Sequence, residues 1–291
     1  MPERTPILTT VQDVSWITPR MARIVLGGDA LEGFGAGAFT DHYVKLLFPP
    51  AGAPYEAPFD PAAIKAELPR EQWPRMRTYT VRDWDAERRR LTIDFVVHGA
   101  SGLAGPWAAN ARPGDRLQLF GPGGAYAPDP RADWHLMVGD ASVLPAIAAS
   151  LARVRTGVRV TVLAEIDGPE DELELATPGD LDLRWVPTGT LLDALRALEL
   201  PAGRGQCFVH GEASSVREAR RHLLVERGLD REALSVSGYW KRTRTEEGWR
   251  EDKAEWLRQA ELDTPRPDRR DQAIATAASG VTLRKVNDAS R

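Results

Sequence analysis

Short runs of β-branched and aromatic residues, separated by Gly, Pro and Asp, fill the first 125 residues of the chain. Six of these runs have the pattern of β-strands, and a stretch rich in small residues, "GLAGPWAANAR", has that of a helix. Strands in this arrangement predict a small antiparallel β-barrel. The six strand segments are "PILTTVQDVSWIT", "MARIVLGG", "DHYVKLLF", "MRTYTVRD", "LTIDFVVHG" and "DRLQLFG".

The pattern changes at "GPGGAYAPDPRAD", residues 121–133, which we interpret as a linker that opens with a turn. Beyond it, short apolar runs alternate with segments of helical length, which predicts a parallel sheet. "EEGWREDKAEWLRQAEL" predicts a terminal helix with Trp249, Trp256, Leu257 and Ala260 on one face. We therefore expect an α+β protein of two domains with a helical tail. The expected parts are an antiparallel β-barrel (1–127), an α/β parallel-sheet domain (128–240), and a basic turn, helix and tail (241–291).

The composition is that of an ordinary globular protein: 291 residues, 42% hydrophobic and 27% charged, with a net charge of −4. The acidic balance argues against nonspecific nucleic-acid binding. We find no run of about 18 apolar residues that would span a membrane. The start, "MPERTPILTT", lacks the layout of a secretory signal, so we expect a cytoplasmic protein. With Cys207 as the only cysteine and five scattered histidines, we expect no metal site.

The turn "GDASVLPAI", residues 139–147, follows an apolar strand and opens a helix. Asp140 or Ser142 could cap that helix, and Pro145 fits its first turn. A doubly wound sheet binds nucleotides at this position. A plain strand-to-helix turn without a ligand remains the alternative.

The strand "RTYTVR" carries Arg77, Tyr79 and Val81 on one face, because alternate residues of a strand point the same way. A guanidinium beside a phenol suits a ligand that has both a phosphate and an aromatic ring. An exposed strand face without a ligand is the alternative. Further on, "DFVVHGASGLAGPWA" places His98 at the end of a strand and opens a helix whose unpaired amides could receive a pyrophosphate.

Together, "RTYTVR", "DFVVHG…GLAGPWA", "GDASVLPAI" and "SGYWKRTRTEEGWR" resemble the siderophore-interacting protein family of the ferredoxin-reductase superfamily. The resemblance covers about residues 5–262. It implies an FAD-dependent reductase of ferric siderophores, with NADH, NADPH or reduced ferredoxin as the electron donor. The cofactor-binding residues that it implies are Arg77, Tyr79, Thr80, Val81, Asp94, His98, Gly102, Leu103, Ala104, Trp107, Ala108, Asp140, Ser142 and Tyr239.

The sequence departs from the family pattern at three places. Residues 102–105, "GLAG", stand where the family usually has "GPAS", so a serine hydroxyl is missing and backbone amides would have to bind the phosphate. His210 stands where a small residue is more usual, and Thr243 stands where the family has glycine.

The heptapeptide "GYWKRTR" places cations beside aromatic residues in an acidic protein. A local positive surface would attract an anionic ferric siderophore, and the resemblance implies that role for Lys45, Lys241, Arg242 and Arg244. We expect no catalytic side chain, because electrons would pass through FAD. Two alternatives remain open: a general NAD(P)H-dependent flavin or ferredoxin reductase of the same fold, and a siderophore-binding protein without catalysis.

Overall fold

A computed structural model of the chain describes residues 5–99 and 102–264, and they form two sheets. The first sheet has seven strands in the order β4-β3-β7-β1-β2-β6-β5, with antiparallel neighbours. The sheet curls, so that the ring of Tyr79 on β4 packs against Phe95 on β6 with centroids 4.4 Å apart, although the two strands are not neighbours in this order. Its strands are β1 (Ile7–Thr18), β2 (Met21–Gly27), β3 (Tyr43–Phe48), β4 (Arg75–Thr80), β5 (Asp83–Asp85), β6 (Arg90–Val96) and β7 (Arg116–Gly123).

The antiparallel barrel is confirmed, with two corrections. The hairpin strand β5 has only three residues, too few to show an alternating pattern, so the prediction of six strands was one short. The expected turn at "GPGG" was wrong, because β7 continues through Gly123, which pairs with Tyr43 on β3.

The second sheet is fully parallel, as the alternating pattern predicted, with the order β10-β9-β8-β11-β12. Chain order reverses between β8 and β11, and a doubly wound sheet binds ligands at the carboxyl ends of the strands beside this point. β8 is buried on both faces, which explains why most of its residues are apolar. The strands are β8 (Trp134–Asp140), β9 (Arg159–Ile166), β10 (Asp180–Pro187), β11 (Gly205–Glu212) and β12 (Leu234–Trp240).

Six α-helices connect or cover the two sheets in the described residues. The last one begins and ends where the sequence predicted, and the hydroxyl of Thr245 caps it by accepting from the N–H of Gly248. The helices are α1 (Pro61–Glu67), α2 (Ala104–Asn110), α3 (Leu144–Leu151), α4 (Leu191–Arg196), α5 (Ala213–Arg221) and α6 (Glu246–Leu262).

Helix α6 docks on α5 through two tryptophans. Trp249 and Trp256 are buried against Ala213 and Val216 of α5, and the indole N–H of Trp256 donates to the carbonyl of Ala213 at 2.9 Å. Leu257, expected on the same face, is 51% exposed, so that part of the prediction was wrong. Within residues 5–99 and 102–264, no helix is long and apolar enough to span a bilayer. The expected tail after residue 264 lies outside the described residues.

Candidate functional site at the meeting of the two sheets

Strand β4 places the arginine and the tyrosine of "RTYTVR" on one face, as their alternate spacing predicted. Arg77 lies opposite Leu46, and Tyr79 lies opposite Val44 of β3. The ring of Tyr79 packs against Phe95 of β6, with ring centroids 4.4 Å apart. Burial raises the pKa of Tyr79, so the phenol remains protonated and can donate a hydrogen bond.

Two carboxylates of α6 hold the guanidinium of Arg77. Arg77 Nη1 lies 2.5 Å from Glu247 Oε1, and Arg77 Nε lies 3.5 Å from Glu246 Oε2. Glu246 Oε1 also accepts a hydrogen bond from the backbone N–H of Thr78 at 3.2 Å. Glu247 lies 170 residues from Arg77 along the chain, so motif reasoning on β4 alone missed it. The only local signal is the "EE" pair that opens α6 directly after a basic turn.

The end of β4 meets the end of β12 between the two sheets. Thr80 is buried, and its side chain interacts with the phenol of Tyr239. Tyr239 packs edge-on against His210 of β11, with ring centroids 5.2 Å apart, and burial raises the pKa of Tyr239. Val81 belongs to the barrel core, so its side chain packs against protein. Thr80 at the end of β4 and Tyr239 near the end of β12 therefore lie together where the two sheets meet.

Asp94 of β6 is already engaged by the protein. Its side chain is buried and forms a bidentate ion pair with Arg23 of β2, in which Arg23 Nε lies 2.7 Å from Oδ1 and Nη2 lies 2.8 Å from Oδ2. Such a fork-shaped pair fixes both side chains. Asp94 therefore joins β6 to β2 within the barrel.

Helix α2 begins close to the end of β6 and carries side chains into the barrel core. Ala104 and Ala108 are buried there, and Trp107 packs between Phe48 and Phe95, with centroid distances of 5.5 Å and 5.6 Å. These three residues can therefore face a ligand through their backbone, whereas their side chains pack inward.

The start of α2 allows a close approach to its backbone. Gly102 has φ of 83°, which favours glycine. A Cβ at Gly105 would lie 3.3 Å from the carbonyl oxygen of Val96, so α2 packs closely on the end of β6, and a larger residue there would need a shift of a few tenths of an ångström. Leu103 at the N-cap makes no side-chain hydrogen bond to the first turn. The first amides of α2 are therefore not capped by that side chain.

Asp140 ties the ends of three strands together. Its Oδ1 accepts from the N–H of Ser142 at 2.9 Å and from the Ser142 hydroxyl. Its Oδ2 accepts from the N–H of Glu212 and from the indole N–H of Trp240, both at 2.8 Å. The expectation that Asp140 or Ser142 caps the next helix was wrong, because Val143 is the N-cap of α3 and no side chain caps it. Pro145 does lie in the first turn of α3.

An interdomain cleft separates the β1–β2 turn and the end of β6 from the carboxyl ends of β8, β9 and β12. We define this interdomain cleft by His98, Asp140, Ser142, Trp240 and Arg242, all of which line it. Burial raises the pKa of Asp140. The residues that the sequence assigned to the nucleotide turn and the histidine after β6 thus come together at one cleft.

The four predicted substrate cations divide between two places. Lys241 Nζ and Arg244 Nε lie 3.4 Å and 2.9 Å from Asp252 Oδ2 of α6. Lys45 is exposed on β3 directly opposite Thr78, beside the first turn of α6. Arg242 instead lines the interdomain cleft. Thr243, between them, has φ of 66°, the conformation that the glycine of the family pattern would adopt most readily.

Comparison with known proteins identifies this pair of domains. Residues 10–126 match the family model described as the siderophore-interacting FAD-binding domain, and residues 132–243 match the siderophore-interacting protein model. The chain belongs to the siderophore-interacting protein family. This confirms the expected family and its two-domain fold, and the FAD-binding domain confirms FAD as the expected cofactor.

Relatives of this siderophore-interacting protein include two reductases. The ferric vibriobactin reductase of Vibrio cholerae is 34% identical over 82% of this chain and 90% of its own length. The NADPH-dependent ferric-chelate reductase of Escherichia coli is 31% identical over 79% of this chain and 91% of its own length. The crystal structure of a siderophore utilization protein from T. fusca has a TM-score of 0.72 at 36% identity, and covers 83% of this chain and 94% of its own.

The residues of this siderophore-interacting protein fit FAD. Arg77 offers a cation at the rim of the barrel, Tyr79 and Tyr239 lie on either side of the junction between the sheets, and α2 begins without a side-chain cap. A flat ring system and a pyrophosphate need such aromatic, cationic and amide groups within one site.

Proposed function

We propose that the protein is an FAD-dependent reductase that converts the Fe(III) of a ferric siderophore to Fe(II) and so releases the iron. One observation supports this most directly: carboxylates of α6 contact both Arg77 of the flavin-binding strand and two of the substrate cations. Glu247 pairs with Arg77, and Asp252, on the next turns of the same helix, pairs with Lys241 and Arg244. The cofactor side and the substrate side of the proposed site are therefore neighbours.

The protein residues have distinct proposed roles toward the cofactor. Arg77 holds a phosphate of FAD, and Tyr79 and Tyr239 flank its ring system. The backbone at the start of α2 receives the pyrophosphate, where the missing serine of the family pattern leaves amides as the donors. Bound FAD supplies the chemistry of accepting two electrons together and passing them on one at a time.

Lys45, Lys241 and Arg244 are the proposed contacts for the siderophore. A ferric siderophore is rich in oxygen ligands and often anionic, so local positive charge draws it to this face of an acidic protein. Oxygen ligands of this kind hold Fe(II) more weakly than Fe(III), so the reduced ion leaves without a ligand from the protein. In the described part of the chain, no group of His, Cys, Asp and Glu side chains could hold a metal ion.

A reduced nicotinamide is the proposed electron donor. Support comes from the name of the Escherichia coli relative, an NADPH-dependent reductase, and from the interdomain cleft at the carboxyl ends of β8 and β9, where doubly wound sheets bind dinucleotides. Reduced ferredoxin is the competing donor. The cytoplasmic location remains a prediction from the sequence.

Anaerobic photoreduction of the FAD-loaded protein tests the proposed function. Catecholate and hydroxamate ferric siderophores are then added separately, and the flavin absorbance and an Fe(II) chelator are followed. We expect reoxidation of the flavin with two Fe(II) formed for each flavin. A flavin that oxidised only with simple acceptors would instead indicate a general flavin reductase. A protein that bound siderophore but neither flavin nor electrons would indicate a carrier.

A further inference from the structure

The carboxyl end of β9 brings three acidic side chains to one wall of the interdomain cleft. Glu165 lies within the end of β9, Asp167 follows the strand, and Asp171 ends the next short helical turn. The hydroxyl of Thr188 donates to Asp167 Oδ1 at 2.6 Å, and the N–H of Gly189 donates to Glu165 Oε2 at 3.0 Å. The loop after β10 therefore fixes both carboxylates in place.

A buried oxygen of Asp171 has no donor within the described part of the chain. Asp171 is only 7% exposed, and its Oδ2 pairs with Arg20 of the β1–β2 turn. Its Oδ1 is buried and accepts no hydrogen bond from any described residue. A buried acceptor without a donor is costly. It therefore indicates a ligand that brings its own donor, such as a hydroxyl group, into the cleft.

The two guanidiniums that line the cleft, Arg20 and Arg242, both interact with acidic residues of this wall, so neither is free to balance an extra phosphate there. Arg20 is already shared between Glu170 and Asp171. Arg242 is the other guanidinium that lines the cleft. It forms no salt bridge with any residue in 5–99 or 102–264, but its charge acts on Glu165 and opposes the rise in pKa that burial causes there. Arg242, without a salt-bridge partner in the described residues, could meet a pyrophosphate, whereas the three carboxylates of the β9 wall present acceptors and an excess of negative charge.

The position of this wall in the sheet indicates which group of a dinucleotide it would contact. In a doubly wound sheet, an acidic side chain after the second strand accepts from the ribose 2′-hydroxyl of a nicotinamide dinucleotide, and an arginine there accommodates a 2′-phosphate. β9 is that second strand, because it pairs with β8 on the side away from β11. A 2′-phosphate carries a charge of about −1.5 to −2 at pH 7, and at this wall it would face Glu165 and Asp167.

On the basis of the proposed function, we propose that the interdomain cleft takes NADH in preference to NADPH and that Asp167 determines this specificity. Asp167 accepts from the 2′-hydroxyl, Glu165 adds a second negative charge behind it, and the free oxygen of Asp171 receives a further hydroxyl of the ligand. Arg242 meets the pyrophosphate. This assignment gives Arg242 a role on the donor side of the molecule, apart from Lys241 and Arg244.

Calorimetric titration of the FAD-loaded full chain with ADP-ribose and with 2′-phospho-ADP-ribose tests the proposal without turnover. We expect ADP-ribose to bind at least about tenfold more tightly, because like charges at close range oppose the phosphorylated ligand. Asp167→Arg should abolish or reverse this preference by strengthening binding of the phosphorylated form. The same variant should lower KM for NADPH with little change in kcat.

Glu172→Arg is the matched control, because it makes the same charge change on the same loop, at an exposed residue that does not line the cleft. The proposal would be overturned if the two ligands bound equally, if the phosphorylated ligand bound more tightly, or if neither ligand bound. It would also be overturned if Asp167→Arg and Glu172→Arg had equal effects. The photoreduced protein distinguishes this from a failure of the proposed function. If ferric siderophore reoxidised the flavin, the proposed reductase function would stand even where the proposed preference for NADH failed.

Discussion

His210 is a neutral histidine held in an apolar setting near the carboxyl end of β11. It is 4% exposed, its ring stacks on Phe208 with centroids 3.8 Å apart, and its Nε2 lies 3.0 Å from the hydroxyl of Ser235. Burial, with a smaller effect of Lys253, lowers the pKa of His210 to about 3. His210, which stands where the family more often has a small residue, therefore packs beside Phe208 and Tyr239 as an uncharged ring.

This burial predicts a loss of stability on acidification. Unfolded histidine has a pKa of about 6.5, so between pH 6.5 and 3 His210 is protonated in the unfolded chain but neutral in the folded chain. The free energy of unfolding should therefore fall as the pH falls, by up to about 1.4 kcal/mol per pH unit from this residue. His210→Gln should make the slope between pH 6.5 and 5 shallower, as measured by urea unfolding.

Ser235→Ala is the control for that measurement. It removes the hydrogen-bond partner of His210 but keeps the titrating imidazole, so its slope should match that of the wild type. His135, whose pKa burial also lowers, contributes in the same direction in all three proteins. Parallel pH profiles for the wild type and His210→Gln would contradict the prediction.

Helix α6 would compete with FAD for Arg77 of β4, the proposed phosphate-binding residue. Glu246 and Glu247 hold the guanidinium of Arg77, whose side chain is only 17% exposed. A phosphate that binds Arg77 meets the negative charge of this first turn. Glu247→Gln should therefore tighten FAD binding by about three- to tenfold, within the range of one partly buried charge pair. Quenching of flavin fluorescence on titration measures this.

Glu251→Gln on the same helix is the matched control for FAD binding. Its partner is Arg70, at 3.8 Å, and both side chains are more than 70% exposed, so neutralising it should leave FAD affinity unchanged. Arg77→Ala should weaken FAD binding by at least about tenfold. An unchanged FAD affinity in both Arg77→Ala and Glu247→Gln would remove Arg77 from the cofactor site.

Helices and strands were predictable from the sequence where the spacing of hydrophobic residues alone defines them. The periodicity of α6 gave both its ends, because a helix of 17 residues with two buried tryptophans repeats its signal several times. It did not reveal that α6 reaches Arg77, since periodicity identifies a face without its partner. The inward packing of Ala104 and Ala108 was missed for a related reason: small residues suit both a phosphate-binding turn and a crowded core.

At the scale of the whole molecule, the positive charge of the basic turn after β12 is divided between the interdomain cleft and helix α6. Arg242 lines the interdomain cleft, whereas Lys241 and Arg244 turn toward α6, where Asp252 lies between them. The sequence showed these three residues as a single basic cluster. Between Lys241 and Arg244 the chain makes a turn, in which the N–H of Arg244 donates to the carbonyl of Lys241 at 3.1 Å and Thr243 has φ of 66°. This turn leaves no trace in composition or spacing.

Asp252 should therefore limit the affinity of the protein for anionic ferric siderophores. Asp252→Asn raises the local charge by one unit beside Lys241 and Arg244, so binding of an anionic ferric siderophore should tighten by about two- to fivefold at low salt and converge with the wild type at high salt. Quenching of tryptophan fluorescence on titration measures the affinity. Glu251→Gln makes the same charge change one residue earlier and should have little effect. If a neutral ferric siderophore responded to Asp252→Asn as strongly as an anionic one, attraction by the released cations could not be the cause.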